Sequence, residues 1–140
     1  MLLASFAEYE PLYTAEGFAA TAITSEQVVA RLSEGPVWVA VRHEEILGTV
    51  SVVAQAESLY LRGMAVLPAA RGARIGALLL THIEEFARTE RFSRLYLSTT
   101  PFLDRAIHLY ESFGFRRASK GPHELFGTPL FTMEKLSSVE

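Results

Sequence analysis

The chain has 140 residues, of which 49% are hydrophobic and 21% charged, and its net charge is −3. That length supports one core of ordinary size, and that composition excludes a disordered chain. The acidic balance argues against a nucleic-acid partner, and the absence of cysteine excludes disulfides, thiolate nucleophiles and cysteine-based metal sites.

Met1-Leu2-Leu3-Ala4-Ser5 has neither a charged n-region nor a long apolar run, so no signal peptide is expected. No apolar run approaches the roughly 20 residues of a membrane span. A cytoplasmic protein with no membrane contact, forming a single domain over residues 1–140, is the expectation. Phe6, Tyr9, Leu12 and Tyr13 fall at helical spacing, which Pro11 weakens. Thr24 reads as an N-cap with Gln27 at capping-box spacing, opening a helix over 25–34 that carries Val28, Val29 and Leu32. Gly35 and Pro36 end it. Residues 36–41 and 46–54 read as two strands of a hairpin around His43-Glu44-Glu45. Residues 58–66 form a third strand, in which Gly63 marks a bulge or a close backbone approach.

The chain is organised around residues 64–77. An apolar run reaches Val66 and stops at Pro68, Arg71-Gly72-Ala73-Arg74 forms a loop, and Ile75-Gly76-Ala77 opens a helix. The first N–H groups of a helix lack internal partners and lie at the positive end of its dipole, so this is an anion site in the making. Arg71 and Arg74 add cationic donors. The loop fits neither the P-loop nor the dinucleotide fingerprint, since Gly72 and Gly76 have three residues between them and Ala77 follows. A plain helix start with solvated arginines is the competing reading.

Ile75, Leu78, Leu79, Ile83 and Phe86 make the helix's apolar stripe, with Glu84, Glu85 and Arg88 outside it. Residues 94–99 alternate as a strand. Thr100-Pro101 reads as an N-cap and first helical position, opening a helix over 101–112 that Gly114 closes. Residues 115–119 and 128–136 read as two last strands around a loop at 120–127. The four histidines, His43, His82, His108 and His123, lack ligand spacing, so no metal is expected; His123 beside Glu124 is a candidate for the substrate pocket. The order of elements makes an α/β domain with a mixed sheet.

Val66-Leu67-Pro68, Arg71-Gly72 and Ile75-Gly76 followed by Leu78-Leu79-Leu80 resemble the acyl-CoA loop of the GCN5-related N-acetyltransferases (GNAT). Arg105-Ala106-Ile107, Leu109-Tyr110-Glu111 and Gly114-Phe115 resemble that family's second motif, and the resemblance runs over about residues 25–136. It implies a mixed, mostly antiparallel sheet flanked by helices and splayed between the fourth and fifth family strands, here the one ending at Val66 and the one at 94–99. It implies that acetyl-CoA, the cosubstrate, enters that gap with no metal. Backbone groups of Met64, Ala65 and Val66 would pair with the pantetheine arm. Arg71, Gly72, Ala73, Arg74, Ile75, Gly76 and Ala77 would hold the pyrophosphate. Tyr110 would protonate the leaving thiolate.

Two positions depart from the family's pattern. Arg74 stands where an inner glycine is usual, and Leu103 where an asparagine is frequent. The usual places for a general base correspond to Tyr60 and Ser98, so deprotonation is left to water and Glu57, Glu10 or Glu124, or to an amine that arrives neutral. The implied activity is acetyl transfer from acetyl-CoA to a primary amine, on a small molecule or a peptide, by direct attack. A homodimer is a further expectation from the family. A non-catalytic acyl-CoA-binding module is the alternative, and a ligand-free interaction domain a third reading.

Overall fold

The computed structural model describes residues 7–21, 27, 30, 32–119, 121 and 124–136. A 3-10 turn (Ala7–Leu12) leads to helix α1 (Ala15–Thr21). Then come β1 (Val37–Arg42), β2 (Glu45–Gln55) and β3 (Ser58–Val66). Helix α2 (Ile75–Thr89), β4 (Arg94–Thr99) and helix α3 (Asp104–Ser112) follow. The last described elements are four strands: β5 (Arg116–Arg117), β6 (Glu124–Leu125), β7 (Thr128–Pro129) and β8 (Phe131–Leu136). Thr24 of the capping box and half of the helix expected over 25–34 lie outside the described residues, as does His123.

Six strands form one sheet in the order β1-β2-β3-β4-β8-β5, antiparallel except where β3 meets β4. The β1–β2 turn puts His43 and Glu44 at φ of 51° and 65°, the left-handed pair that a tight hairpin needs to match strand twist. Helix α2 crosses over between the two parallel strands and packs on β1, β2 and β3. Its Ile75, Leu79, Leu80 and Ile83 join Val50, Val52, Leu59, Leu61, Leu95 and Leu97 in the core.

Three expectations change in the structure. Thr100-Pro101 does not open α3. Pro101 and Phe102 form a turn closed by Leu103 N–H donating to the Thr100 carbonyl, and the helix starts at Asp104 after Leu103. The strand over 115–119 shrinks to Arg116–Arg117. The strand over 128–136 breaks at Leu130, because Thr128–Pro129 turns away from the main sheet to pair with Glu124–Leu125.

That small hairpin is tied to the chain's first elements. Thr14 N–H donates to Thr128 Oγ1 at 2.8 Å, and Thr14 Oγ1 donates to the Phe126 carbonyl at 2.9 Å. Thr14 Oγ1 also accepts from Gly17 N–H at 3.0 Å, so it caps α1 as it clasps the hairpin. A Cβ on Gly17 would lie 2.4 Å from Thr128 Oγ1 and 2.9 Å from the Leu125 carbonyl, so only glycine admits this approach.

Gly48 plays a similar part under α2. A Cβ there would stand 2.7 Å from Ile75 Cγ2 and 3.2 Å from the Ala65 carbonyl oxygen. Ile75 is β-branched and buried, and the carbonyl belongs to a strand, so neither yields easily. Gly48→Ala is expected to destabilise the fold by about 1–3 kcal/mol through overpacking, read as a lower midpoint in urea at an unchanged slope.

Candidate active site

The site begins at a register change. On β2–β3, Thr49 pairs with Ala65 and Ser51 with Arg62, so Val50 alone faces both Gly63 and Met64. Gly63 has φ of 64°, a left-handed conformation that its lack of Cβ permits. The bulge signalled by that glycine is therefore present. It turns β3 away from β4 just where their pairing stops. Parallel rungs run from Ser58↔Arg94 to Leu61↔Leu97 and no further. The paired half is held by Tyr60 stacked on its rung partner Tyr96 at 4.9 Å between centroids. Arg94 lies over the Tyr96 ring and pairs with Glu134 at 2.6 Å.

A cavity of about 810 Å³ occupies the gap. Met64, Ala65 and Val66 line it from β3, and Leu97, Ser98 and Thr99 from β4. Beyond the last rung, alternate N–H and C=O groups of β3 point away from β2 into that space. The loop and helix start contribute Arg71, Gly72, Arg74, Ile75, Gly76 and Ala77. From α3 come Arg105, Leu109 and Tyr110, and from the clasped segments Tyr13, Glu124 and Leu125.

Pro68–Ala70 form one 3-10 turn, and Arg74 precedes α2 with φ of 61° and ψ of 28°. Arg74 thus takes the left-handed conformation that a glycine would adopt freely. The first helical bond is Leu78 N–H to the Arg74 carbonyl, which leaves the amides of Ile75, Gly76 and Ala77 without helical partners. Nothing lies within 4 Å of where a Cβ on Gly72 would stand. Open space, unpaired amides, the dipole end of a long helix and two arginines together fit a diphosphate. Ala73 stands apart: its N–H donates to the Ala70 carbonyl at 3.1 Å, and it does not line the cavity.

Tyr110 is 7% exposed and its hydroxyl donates to Met64 Sδ at 3.6 Å, so α3 is joined to the bulge itself. Burial raises its pKa above the ordinary tyrosine value, with a smaller push from Tyr13. The phenol keeps its proton across the physiological range. It remains available as a donor to a nearby anion.

Among the candidate bases, Tyr60 and Ser98 line the cavity, and so does Glu124 on the small hairpin. Glu57 lies at the β2–β3 turn, where its carbonyl accepts from Ser93, and Glu10 is exposed in the first 3-10 turn; neither lines the cavity. Leu103 lines it as well, in the place of the asparagine not carried over. His43 and His108 are exposed, and His82 packs edge-on to Trp38 at 4.9 Å. Among the described residues, no group of three or more His, Asp and Glu could hold a metal, and no helix is long and apolar enough to cross a membrane.

Sequence reasoning missed Arg62, Thr100 and Leu130 as cavity residues. Period-two alternation on β3 places Arg62 on the same face as Tyr60, and that signal was available. The other two follow from the turn and the strand break, which local sequence does not announce.

Residues 3–115 match the family described as Acetyltransferase (GNAT) family. Over 82 residues the chain is 37% identical to an uncharacterized N-acetyltransferase of Escherichia coli (strain K12), a match covering 56% of this chain and 49% of that protein. The chain thus spans about half the length of that curated relative. The fold is shared with a PaiA N-acetyltransferase of Thermoplasma acidophilum in complex with coenzyme A. There the TM-score is 0.76 and identity 18%, with 97% of this chain and 88% of that one covered. It is shared also with a GNAT family acetyltransferase of Elizabethkingia anophelis with acetyl-CoA bound, at TM-score 0.69 and 19% identity, covering 85% and 87%.

The folded phenol of Tyr110 holds its proton more tightly than the unfolded chain's, whose pKa is 10.0. Its contribution to stability is full below that pH and is lost as pH rises above it. Thermal midpoints are expected to be insensitive to this group up to pH 10 and to fall beyond it. Tyr110→Phe should flatten that alkaline fall.

Proposed function

The chain belongs to the GNAT acetyltransferase family, and on that premise we propose that it moves an acetyl group from acetyl-CoA to a primary amine by direct attack. The observation that carries this reading is the meeting of three features on one cavity: the unpaired edge of β3, the amide-and-arginine loop before α2, and the buried Tyr110 phenol.

Acetyl-CoA supplies an activated acetyl group when bound. Gly72, Arg74 and the first amides of α2 hold its diphosphate, with Arg71 beside them. The backbone of Met64, Ala65 and Val66 pairs with the pantetheine arm and donates to the thioester oxygen, which gains charge as the amine adds. Tyr110 gives its proton to sulfur as the carbon–sulfur bond breaks. Its raised pKa keeps the phenol protonated at neutral pH, so the proton is in place when sulfur gains charge. Glu124 takes the proton that the attacking nitrogen loses, directly or through water. An alkylamine has a pKa near ~10.4, so at neutral pH some such acceptor is required. The chain has no cysteine, which agrees with attack in a single transfer.

Tyr110→Phe is expected to lower kcat by about 10²-fold or more, read as free-thiol release against an amine panel. Unchanged turnover at every pH would remove Tyr110 from the acid's role. Arg74→Ala is expected to weaken CoA binding by less than about tenfold, since neighbouring donors remain; calorimetric titration checks it, and complete loss would make that side chain the principal anchor. Glu124→Gln should depress kcat/KM most at neutral pH, with the loss shrinking as pH approaches the acceptor's own pKa. Acetyl-CoA binding with no thiol release on any amine would favour a binding module instead.

A further inference from the structure

We propose that Arg62 anchors the acceptor and that this acceptor carries a carboxylate beside its amine, as an amino acid does. This rests on the acetyl-transfer reading above. Arg62 stands one residue past the last β3–β4 rung, on the face it shares with Tyr60, and lines the cavity. The arginines for a diphosphate, Arg71 and Arg74, belong to the loop before α2, so Arg62 is a cation the coenzyme reading does not use.

Its guanidinium is half engaged. Nη2 donates to Glu34 Oε2 at 2.6 Å, while Nε is buried with no acceptor. These two nitrogens share one edge of the guanidinium, and that edge matches the two oxygens of a carboxylate. Glu34 fills one position of the fork from a side chain that is 49% exposed, against 21% for Arg62. A buried donor on a charged group, left unmade, costs free energy until something accepts from it. Thr100 Oγ1 is also buried without a partner, on a residue that lines the same cavity. Among the described residues three buried side-chain polar atoms lack partners, and two of them belong to residues on this cavity.

The opposite charge is present as well. Glu124 lines the cavity from the clasped hairpin, and it is suited to an ammonium. A zwitterion satisfies both walls: its amine lies toward Glu124, and its carboxylate takes the Nε/Nη2 edge. Glu34 holds that edge until substrate displaces it, so Glu34 and substrate compete for one arginine.

Competition gives the two members of the ion pair opposite effects, which a merely structural pair would not have. The assay compares common amino acids with their carboxamides and decarboxylated amines, by thiol release at saturating acetyl-CoA, alongside calorimetry of acetyl-CoA binding. The intact protein is expected to favour the carboxylate over its carboxamide by about tenfold or more in kcat/KM, the worth of a charged hydrogen-bonded pair. Arg62→Met should bring that ratio near one, and Arg62→Lys should restore only part of it. Glu34→Gln should lower KM for the carboxylate acceptors and leave acetyl-CoA affinity as it is. Equal rates on acid and amide, a ratio that survives Arg62→Met, or a raised KM in Glu34→Gln would each overturn the proposal while acetyl transfer stands. A protein that does not bind acetyl-CoA, or binds it and acetylates nothing in the panel, overturns both.

Discussion

Pairing between β3 and β4 ends at Leu61 and Leu97, and the cavity follows from that ending. A parallel strand pair inside a sheet would ordinarily continue, because an unpaired backbone group away from water is costly. Here Gly63 takes a left-handed turn, β3 carries one more residue than β2 can match, and the strand swings out. The edge so exposed lies under Tyr110, whose hydroxyl meets Met64 of the bulge. Stacked Tyr60 and Tyr96, with Arg94 and Glu134 beside them, hold the other half closed. The opening is thus bounded on one side by firm aromatic and ionic contacts and on the other by a helix start.

The loop before α2 adds charge to this opening. Its geometry is set by close packing as much as by glycine. Gly48 lets Ile75 descend on β2, and Gly76 lets Leu109 of α3 come within 2.6 Å of where a Cβ would stand. The amides of the first turn are thereby carried to the cavity wall. Arg74 holds a conformation that costs an L-residue on the order of 1 kcal/mol. Helix α2 packs against three strands, which is enough to hold it there.

The side of the cavity proposed for the coenzyme was legible because its determinants are local. The alternation of β1 to β4, the stop at Pro68, the stripe of α2 and the bulge at Gly63 depend on residues a few positions apart. The side proposed for the acceptor was not. Helix α1 and the hairpin at Glu124–Pro129 each owe their form to Thr14 meeting Thr128, more than a hundred residues away in sequence. Pro101 looked like a helical first position, yet it occupies a turn that Leu103 closes onto Thr100. Arg62 carries no motif of its own, and its half-engaged edge is seen only once Glu34 is placed beside it in the fold.

Thr14 and Thr128 have a consequence for how such a domain diversifies. On the proposed reading most of the coenzyme's berth is written in residues 64–77, so alterations there touch every reaction the fold can run. The proposed acceptor side draws, beside Arg62 of β3, on two distant segments joined by a few side-chain bonds. An alteration on either side shifts the other, and viable new pockets arise through paired replacements, one near residue 14 and one near residue 128. Relatives with different acceptors are therefore expected to covary across this junction while their coenzyme stretch stays recognisable.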